Sequence, residues 1–431
     1  MTESLAVTTL GEPRLDSPLR ARDEGDGAVF HFVDEAARVP LEPRAAAAQA
    51  GQASFEQAGP RERIYFDPAR TRAAILTAGG LCPGLNDVIR ALVLHLHYWY
   101  GVHDVLGVPY GYDGLLPGNE TPPRPLTLQA VSDIHTKGGS ELGSARTPPD
   151  PEAWVDTLQA LGVNVLFSIG GDGTLKGLHA ISEEARRRGM ALAAIGIPKT
   201  IDNDIPLVYR SFGFQTAVEE ADRVLDCAHV EATGARGGVG LVKLMGRHCG
   251  FIAAHATLAN GDVNYCLIPE IPFRLEGEKG LLAHLRDRLR RRRHAVIVVA
   301  EGAGTELIGL SDRKDASGNR LLNDIGLYLK DEISRQFRAW GDEVHLKYFD
   351  PSYIIRSVPA NSNDSIFCAD LARFAVHAAM AGKTDLLIGQ WHGIFTHIPL
   401  TAIIGKRKQI DPEGNLWRSV LATTGQPARW S

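Results

Sequence analysis

Two short stretches constrain the fold of this chain more than any other feature. The first is G-G-D-G-T at 170–174 and the second is P-K-T-I-D-N-D at 198–204. Each stretch follows or completes an apolar run, 163–169 and 191–197, of the kind that forms a buried parallel strand. The residues between them, Leu175 to Gly189, predict a helix. Both loops are therefore expected at the carboxyl edge of one sheet, where open α/β sheets bind ligands.

The chemistry of these two loops is complementary. The three glycines of the first stretch allow the backbone to approach a polyphosphate closely, and the following helix directs its positive N-terminus at the same place. Asp172 can hold Mg²⁺ there, while Asp202 and Asp204 provide a pair of carboxylates. A phosphate-binding turn, a metal ligand and a candidate base on neighbouring strand ends indicate phosphoryl transfer.

Composition and charge exclude several other classes of protein. Apolar residues make up 44% and charged residues 23%, as in an ordinary globular protein, and the net charge of −5 gives no reason to expect nucleic acid or an anionic membrane as partner. The 5 cysteines are scattered without a C-x-x-C pair, which argues against a zinc cluster or a disulfide framework and favours a reducing compartment. We find no apolar run of about 18 residues. The sequence predicts a soluble cytoplasmic protein.

Strands and helices alternate through most of the chain. Apolar runs predict further strands at 72–78, 104–109, 239–245, 263–268, 295–300 and 385–389, and helical spacing predicts helices at 87–100, 215–228, 323–340 and 365–380. The first of these strands runs into the glycine turn 79–86, a second geometry suited to phosphate, although glycine in such a turn can also serve packing alone. The expected fold class is α/β, with two doubly wound lobes and a cleft between them.

Two regions differ from this pattern. Residues 1–70 are rich in Ala, Glu, Arg and Pro, and we interpret them as an N-terminal extension, either an arm lying on another domain or subunit or a disordered tail. Arginines at 290–293 end a predicted helix, where positive charge complements the helix dipole. No aromatic residues interleave with them, as a nucleic-acid site would require.

The G-G-D-G-T motif alone is shared by several kinases, but it occurs here together with P-K-T-I-D-N-D, K-L-M-G-R at 243–247, P-E-I-P-F at 269–273 and A-E-G at 300–302. This combination resembles the 6-phosphofructokinases, in particular the branch with long N-terminal arms that includes plant and trypanosomal ATP-dependent members. The resemblance covers about 72 to 405. It implies the phosphofructokinase fold, with two Rossmann-like lobes.

The resemblance also implies how the lobes divide the work. After the extension at 1–70, a nucleotide-binding lobe is expected at 71–212 with a return at about 357–390. A sugar-phosphate-binding lobe is expected at 213–356 with about 391–431. The implied reaction, a step of glycolysis, transfers the γ-phosphate of Mg-ATP to the 1-hydroxyl of fructose 6-phosphate, giving fructose 1,6-bisphosphate and ADP.

Catalytic roles carry over residue by residue. Asp202 matches the base that takes the proton of the sugar's 1-hydroxyl, and Thr200 and Asp204 match residues that support it. Asp172 matches the carboxylate associated with Mg²⁺. The positions that match nucleotide-phosphate contacts are Gly80, Gly171, Asp172, Gly173, Thr174 and Arg146. Arg146 is implied to stabilise charge on the transferred phosphate as well.

The sugar side is implied by a second set of positions. Those that match fructose 6-phosphate contacts are Thr200, Asp202, Met245, Gly246, Arg247, Glu301, Lys347, Tyr353 and Arg356. The last three fall at the spacing of residues that hold the 6-phosphate, where bacterial members usually have Arg, His and Arg. Lys and Tyr still supply a charge and a donor but lack the bidentate fork of arginine.

Two residues bear on the phosphoryl donor. Gly173 has no side chain, so the α-phosphate and nucleoside of ATP can fit, whereas pyrophosphate-dependent members place an Asp there. Lys199 is the residue that pyrophosphate users have, since its ammonium can neutralise the leaving anion. Because a carboxylate would exclude ATP while a lysine only permits pyrophosphate, we expect ATP. The alternatives are a pyrophosphate-dependent enzyme and a non-catalytic sugar-phosphate-binding paralogue.

The assembly implied by the resemblance is an allosteric homotetramer, or at least a homodimer. The sequence names no effector and leaves other sugar phosphates open as substrates.

Overall fold

The computed structural model describes residues 5–20, 31–42, 53–314 and 320–430. The chain divides into two compact units. The first unit contains the described residues of Met1–Thr200, Ile205–Gly213 and Ser357–Arg407, and the second contains those of Ile201–Asp204, Phe214–Arg356 and Lys408–Ser431. The first unit thus extends further towards the C-terminus than the predicted nucleotide lobe, and residues 201–204 belong to the second unit.

Strands are numbered in chain order. They are β1 Thr8–Thr9, β2 Leu15–Asp16, β3 Arg38–Pro40, β4 Ser54–Gln57, β5 Arg63–Ile64, β6 Arg72–Thr77, β7 Asp104–Val108, β8 Arg124–Pro125, β9 Val165–Gly170, β10 Ala193–Pro198, β11 Gly238–Leu244, β12 Tyr265–Leu267, β13 His294–Ala300, β14 Leu310–Lys314, β15 Arg320–Leu322, β16 His345–Phe349, β17 Lys383–Thr384, β18 Leu386–Trp391 and β19 Ile394–Pro399.

Helices are numbered in the same way. They are α1 Leu85–His95, α2 Pro151–Ala160, α3 Asp172–Arg187, α4 Phe214–Thr233, α5 Phe251–Asn260, α6 Leu281–Arg292, α7 Thr305–Ile308, α8 Ile325–Ala339, α9 Ser362–Met380 and α10 Asn415–Thr424. No helix in these described ranges is long and apolar enough to span a membrane.

The apolar runs form the strands that the sequence predicts. β9 and β10 are buried at every position, as expected for central strands of a parallel sheet covered on both faces. Helix α3 begins three residues earlier than predicted, with Gly171 as its N-cap and Asp172 in its first turn. An acidic residue there is favourable because the helix dipole is positive at that end. The predicted α/β class with parallel sheets is confirmed.

The sheet of the first unit has nine strands in the order β3-β4-β19-β18-β10-β9-β6-β7-β8. Its central strands β18, β10, β9, β6 and β7 are parallel. From β6 the chain moves to β7 on one side, whereas from β9 it moves to β10 on the other. The loops after β6 and β9 therefore leave in opposite directions, and such a switch point opens a crevice at the carboxyl edge.

Helices α2 and α3 cover one face of this sheet. Their apolar side chains, including Trp154, Leu158, Leu178 and Ile181, pack with residues of the central strands in one buried cluster. Helices α1 and α9 pack against each other elsewhere in the unit. The core thus holds the strand ends of the first unit at fixed positions.

The described part of the N-terminal extension is built into the first unit. β4 pairs with β19 and β3 pairs with β4, so both lie at one edge of the nine-stranded sheet. Glu56 is buried and accepts from Arg61, Lys383 and His397 at 3.1, 3.1 and 2.9 Å. Burial acts to raise the pKa of Glu56, but the hydrogen bonds and charges of His397 and Lys383 lower it to about 2. The extension is thereby bound by a buried charge network.

The second unit contains a parallel sheet in the order β12-β13-β11-β16. The chain leaves β11 towards β12, and it leaves β13 in the other direction towards β16. The switch point of this sheet therefore lies between β11 and β13. One face packs with α6 and α8 in a buried cluster that includes Leu241, Ile297, Leu285 and Ile333.

Candidate functional site

In the first unit, the loops after β6 and β9 meet a third loop at the switch point. Gly79 adopts a φ of +87°, which favours glycine, and its N–H donates to the carbonyl of Ala145 at 3.2 Å. The hydroxyl of Ser144 donates to the carbonyl of Gly79 at 2.5 Å. These bonds fix the glycine-containing loop 138–146 beside the turn, so the exposed Arg146 follows directly after a residue bonded to Gly79.

Lys199 connects the two glycine turns. Its side chain is only 6% exposed, and the ammonium donates to the carbonyl of Gly80 at 2.5 Å. Its own N–H donates to the carbonyl of Gly170 at 3.0 Å, which continues the pairing of β10 with β9. Thr200 follows, and its main-chain carbonyl accepts from the hydroxyl of Ser211 at 2.6 Å. The switch point of the first unit therefore holds a fixed positive charge.

The glycines of the second turn are required for different reasons. A Cβ on Gly170 would lie 2.1 Å from the hydroxyl oxygen of Thr174, and one on Gly171 would lie 3.3 Å from the carbonyl oxygen of Lys199. A Cβ on Gly173 would have no neighbour within 4 Å among the described residues. Packing therefore explains the first glycine, whereas Gly173 leaves open space at the N-terminus of a helix, where anions bind.

A stacked pair of aromatic residues supports the first turn of α3. The hydroxyl of Tyr112 donates to the carbonyl of Thr174 at 2.7 Å, and its ring stacks on Trp154 at a centroid distance of 4.4 Å. Burial raises the pKa of Tyr112, so the phenol stays a neutral donor. Thr174 itself is 6% exposed, and its side chain packs against Gly170. This support fixes the direction of the helix N-terminus.

Asp172 is the candidate metal ligand. It is the first residue of α3, its side chain is 41% exposed, and its carboxylate accepts from Lys176 at 2.7 Å. Mg²⁺ in phosphate-transferring sites is commonly held by one or two carboxylates together with phosphate oxygens and water. An accessible carboxylate at a helix N-terminus fits that chemistry.

In the second unit, residues 201–204 form a carboxylate loop held through its backbone. The carbonyl of Asp202 accepts from the thiol of Cys249 at 3.4 Å, and the carbonyl of Asp204 accepts from the N–H of Lys408 at 2.9 Å. Asn203 between them is buried, with a φ of +56°. Both aspartates are half-buried, and one carboxylate oxygen of Asp202 is fully buried.

The ends of β11 and β13 bring together the two motifs that are predicted to bind the sugar. Leu244 pairs with Ala300, the N–H of Glu301 donates to the carbonyl of Leu244 at 2.9 Å, and the N–H of Gly302 donates to that of Gly246 at 3.2 Å. Glu301 therefore lies beside the loop that carries Met245, Gly246 and Arg247. Both lie at the switch point of the second sheet.

The electrostatics of this cluster follow from burial and nearby cations. Burial raises the pKa of Glu301, and the positive charges of Lys243, Arg247 and Arg356 oppose that rise. The ammonium of Lys243 is already bonded to Asp324 and Asp350, at 2.6 and 2.9 Å. Lys243 belongs to the K-L-M-G-R motif, but sequence reasoning did not select it.

Two of the three residues predicted to hold a sugar phosphate lie side by side. Tyr353 and Arg356 are adjacent, with the guanidinium 4.6 Å from the ring centroid, and the charge of Arg356 acts on Glu301. Lys347 is exposed and pairs with Gly240, four residues before β11 ends at Leu244. That register places it roughly 13 Å back along the strand. The roles of all three stay predictions.

The chain is similar to a known family over most of its length. The sequence pattern of the family described as Phosphofructokinase matches residues 72–379. An ATP-dependent 6-phosphofructokinase of Borreliella burgdorferi is 48% identical over 98% of this chain and 96% of its own. ATP-dependent 6-phosphofructokinase 1 of Arabidopsis thaliana is 46% identical, over 96% of this chain and 88% of the relative. The ATP-dependent 6-phosphofructokinase of Trypanosoma brucei brucei is 45% identical, over 86% of this chain and 76% of the relative.

Solved structures with the same fold are more distant in sequence. A pyrophosphate-dependent phosphofructokinase of Marinobacter aquaeolei superposes with a TM-score of 0.65 at 22% identity, covering 82% of this chain and 91% of its own. Phosphofructokinase of Pichia pastoris in the T-state gives a TM-score of 0.65 at 22% identity, over 88% and 41%. At this identity the likeness concerns the fold alone.

Proposed function

The chain belongs to the phosphofructokinase family, and from that premise we propose that it is an ATP-dependent 6-phosphofructokinase. It would transfer the γ-phosphate of Mg-ATP to the 1-hydroxyl of fructose 6-phosphate, giving fructose 1,6-bisphosphate and ADP, a step of glycolysis. The observation that carries the choice of donor is the open space at Gly173, at the N-terminus of α3. Relatives of nearly full length that are named ATP-dependent support it.

The first unit would hold the donor. The N-terminus of α3 and the backbone of the glycine turns receive the phosphates, and the ammonium of Lys199 adds a fixed charge beside Gly80. Arg146 would stabilise charge on the oxygens of the transferred phosphate. Asp172 would hold Mg²⁺, which when bound neutralises and orients the phosphates.

The choice of ATP over pyrophosphate rests on position 173, because an acidic residue there would exclude ATP, whereas Lys199 permits either donor. An acidic side chain at position 173 would enter the open space and repel an α-phosphate, whereas the present glycine leaves it clear. Lys199 is compatible with both donors because its ammonium can neutralise either leaving anion. The pyrophosphate-dependent reaction is the second candidate, and Lys199 is the residue that favours it.

The second unit would hold and activate the acceptor. Asp202 would accept a hydrogen bond from the sugar's 1-hydroxyl and then its proton. A carboxylate of ordinary pKa near 4 is a weak base, but in a loose phosphoryl-transfer transition state the proton leaves late, so orientation is the larger part of its task. Thr200 and Asp204, on either side of it in the sequence, would support that orientation.

Recognition of the sugar phosphate would rest on the cluster at the ends of β11 and β13. Arg247 and Arg356 offer positive charge to the phosphate, and Glu301 offers a carboxylate to the sugar hydroxyls. Met245 and Gly246 would line the same place. Lys347 and Tyr353 complete the predicted set of contacts for the 6-phosphate.

Location and assembly are part of the proposal. A cytoplasmic enzyme fits the cysteines, each of which is a free thiol. We propose a homotetramer, or at least a homodimer, under allosteric control. Light scattering on the purified chain tests the assembly, and a stable monomer at micromolar concentration would contradict it.

A coupled assay tests the function directly. Purified protein is given fructose 6-phosphate and Mg²⁺ with either ATP or pyrophosphate, and fructose 1,6-bisphosphate is measured. We expect turnover with ATP and little with pyrophosphate. The reverse preference would establish the second candidate, and binding of fructose 6-phosphate without product from either donor would indicate a non-catalytic paralogue.

A further inference from the structure

A short segment near the C-terminus is bonded to the carboxylate loop. Residues 408–410, here called the C-terminal clasp, belong to the second unit. The N–H of Lys408 donates to the carbonyl of Asp204 at 2.9 Å. The side chain of Gln409 donates to the carbonyl of His248 at 3.1 Å, directly after the K-L-M-G-R motif. The clasp thus contacts both loops that the proposed reaction uses on the sugar side.

Glu270 bonds the same clasp to the helix that follows these loops. One of its carboxylate oxygens accepts from the N–H of Ile410 at 2.9 Å and from the N–H of Gly250 at 3.0 Å. Gly250 is the N-cap of α5, so a single buried carboxylate connects the clasp to a helix N-terminus. Burial raises the pKa of Glu270, and these two bonds oppose the rise. The clasp is therefore fixed at every one of its residues.

The ammonium of Lys408 lies in an apolar and acidic environment. It is 5.1 Å from the centroid of the Phe251 ring, and the titratable groups that face it are Asp204, Cys249 and His255. Burial raises the pKa of the Cys249 thiol and lowers that of His255, so both are neutral near pH 7. The carboxylate of Asp204 acts on the ammonium of Lys408 and favours its charged form.

We propose that Lys408 is a positioning residue for phosphoryl transfer. Its ammonium balances the charge of Asp204 while its N–H holds the backbone of the same residue. The carboxylate loop then keeps Asp202, two residues earlier, directed at the sugar hydroxyl. This role rests on the function proposed above and adds to it a residue that lies 206 positions from the base in the sequence.

The physical reason is the cost of two like charges on one half-buried turn. Asp202 and Asp204 are separated by one residue and repel each other where water screens them poorly. A cation beside Asp204 lowers that repulsion, so that the carboxylate of Asp202 can keep one orientation towards the substrate. Burial lowers the pKa of Lys408 to about 8. Its charge is therefore present at neutral pH and is lost as the pH rises through that value.

Two substitutions test the role. Lys408→Met removes the charge and keeps the length of the side chain; we expect kcat at pH 7.5 to fall about 10-fold or more with the KM for ATP within about 2-fold. Lys408→Arg keeps the charge at every accessible pH. It should retain most of kcat and lose the decline in kcat that the unaltered protein shows above about pH 8.

Lys406→Met is the matched control, since Lys406 lies two residues away and donates to the carbonyl of Ala402. It should leave kcat and the pH profile unchanged. Wild-type kcat in Lys408→Met, or an unaltered alkaline decline in Lys408→Arg, would overturn the positioning role while leaving the kinase assignment intact. If Lys408→Met fails to fold, the Lys408→Arg profile alone decides. Lack of any activity in the unaltered chain would instead overturn the proposed function.

Discussion

The switch point of the first unit is lined by glycine turns and main-chain groups, with two cationic side chains beside them, whereas that of the second unit carries a cluster of acidic and basic side chains. Main-chain N–H groups and a helix end suit a polyphosphate, which presents many similar oxygens. Acidic and basic side chains together suit a sugar phosphate, because its hydroxyls donate to carboxylates while its phosphate binds cations. The comparison predicts that the first site fails when a side chain is added and the second when one is removed.

The largest expected effect is in the carboxylate loop of the second unit. Asp202→Ala should lower kcat by about 10³-fold or more, because the sugar hydroxyl loses both its orientation and its proton acceptor. The KM values for both substrates should change by no more than a few-fold. Steady-state kinetics with fructose 6-phosphate and ATP measure this. A variant that keeps most of its turnover would remove Asp202 from the role of base.

The site in the first unit should lose activity when a side chain is added at position 173. Gly173→Asp places a carboxylate in the open space at the N-terminus of α3, and we expect ATP-driven turnover to fall by about 10²-fold while any pyrophosphate-driven turnover falls much less. Gly173→Ala is the control, since it adds only a methyl group. Equal losses with both donors would show that the space at position 173 does not decide between them.

A smaller effect is expected where a sugar contact is removed from the second unit. Glu301→Gln should raise the KM for fructose 6-phosphate about 10-fold with little change in the KM for ATP. Because burial raises the pKa of Glu301, its carboxylate is protonated at a higher pH than an ordinary glutamate. In the unaltered protein, the KM for the sugar should therefore rise as the pH falls through that pKa. An unchanged KM in Glu301→Gln would make the residue a structural cap of β13.

The smallest expected effects are on the stability of the fold, and they should differ between two glycines of the same turn. Gly170→Ala puts a methyl group 2.1 Å from the side chain of Thr174 and should destabilise the fold by about 1–3 kcal/mol. Gly173→Ala meets nothing within 4 Å among the described residues and should stabilise it by up to about 1 kcal/mol. Chemical denaturation measures both. Equal destabilisation would contradict the claim that only the first glycine is fixed by packing.

Local patterns were enough to predict the elements that carry the first site. The runs before the glycine turns are apolar throughout because β9 and β10 are covered on both faces, and a run of that kind can be recognised without knowing its neighbours. The glycines at the strand ends and the following helix are equally local. Which of these glycines is fixed by packing could not be predicted, since that depends on what lies beside each one.

Features that depend on distant pairing were not predictable. β4 is four residues long and pairs with β19, which begins 337 positions later than β4 ends, so no local pattern indicates it. The spacing of Lys347, Tyr353 and Arg356 predicts one phosphate-binding group, and it does not give the register of β16 against β11. The role of Lys408 could not be predicted for the same reason, because its partner Asp204 lies far away in the sequence.

The edge strands contributed by the N-terminal extension have a practical consequence. A shortened protein starting at residue 72, where the family similarity begins, would expose the backbone of β19 along its free side. It would also leave Lys383 and His397 without the carboxylate of Glu56 that they now share. Open strands of this kind recruit other chains. Such a truncation should be recovered mainly as insoluble material, even though every predicted catalytic residue would still be present.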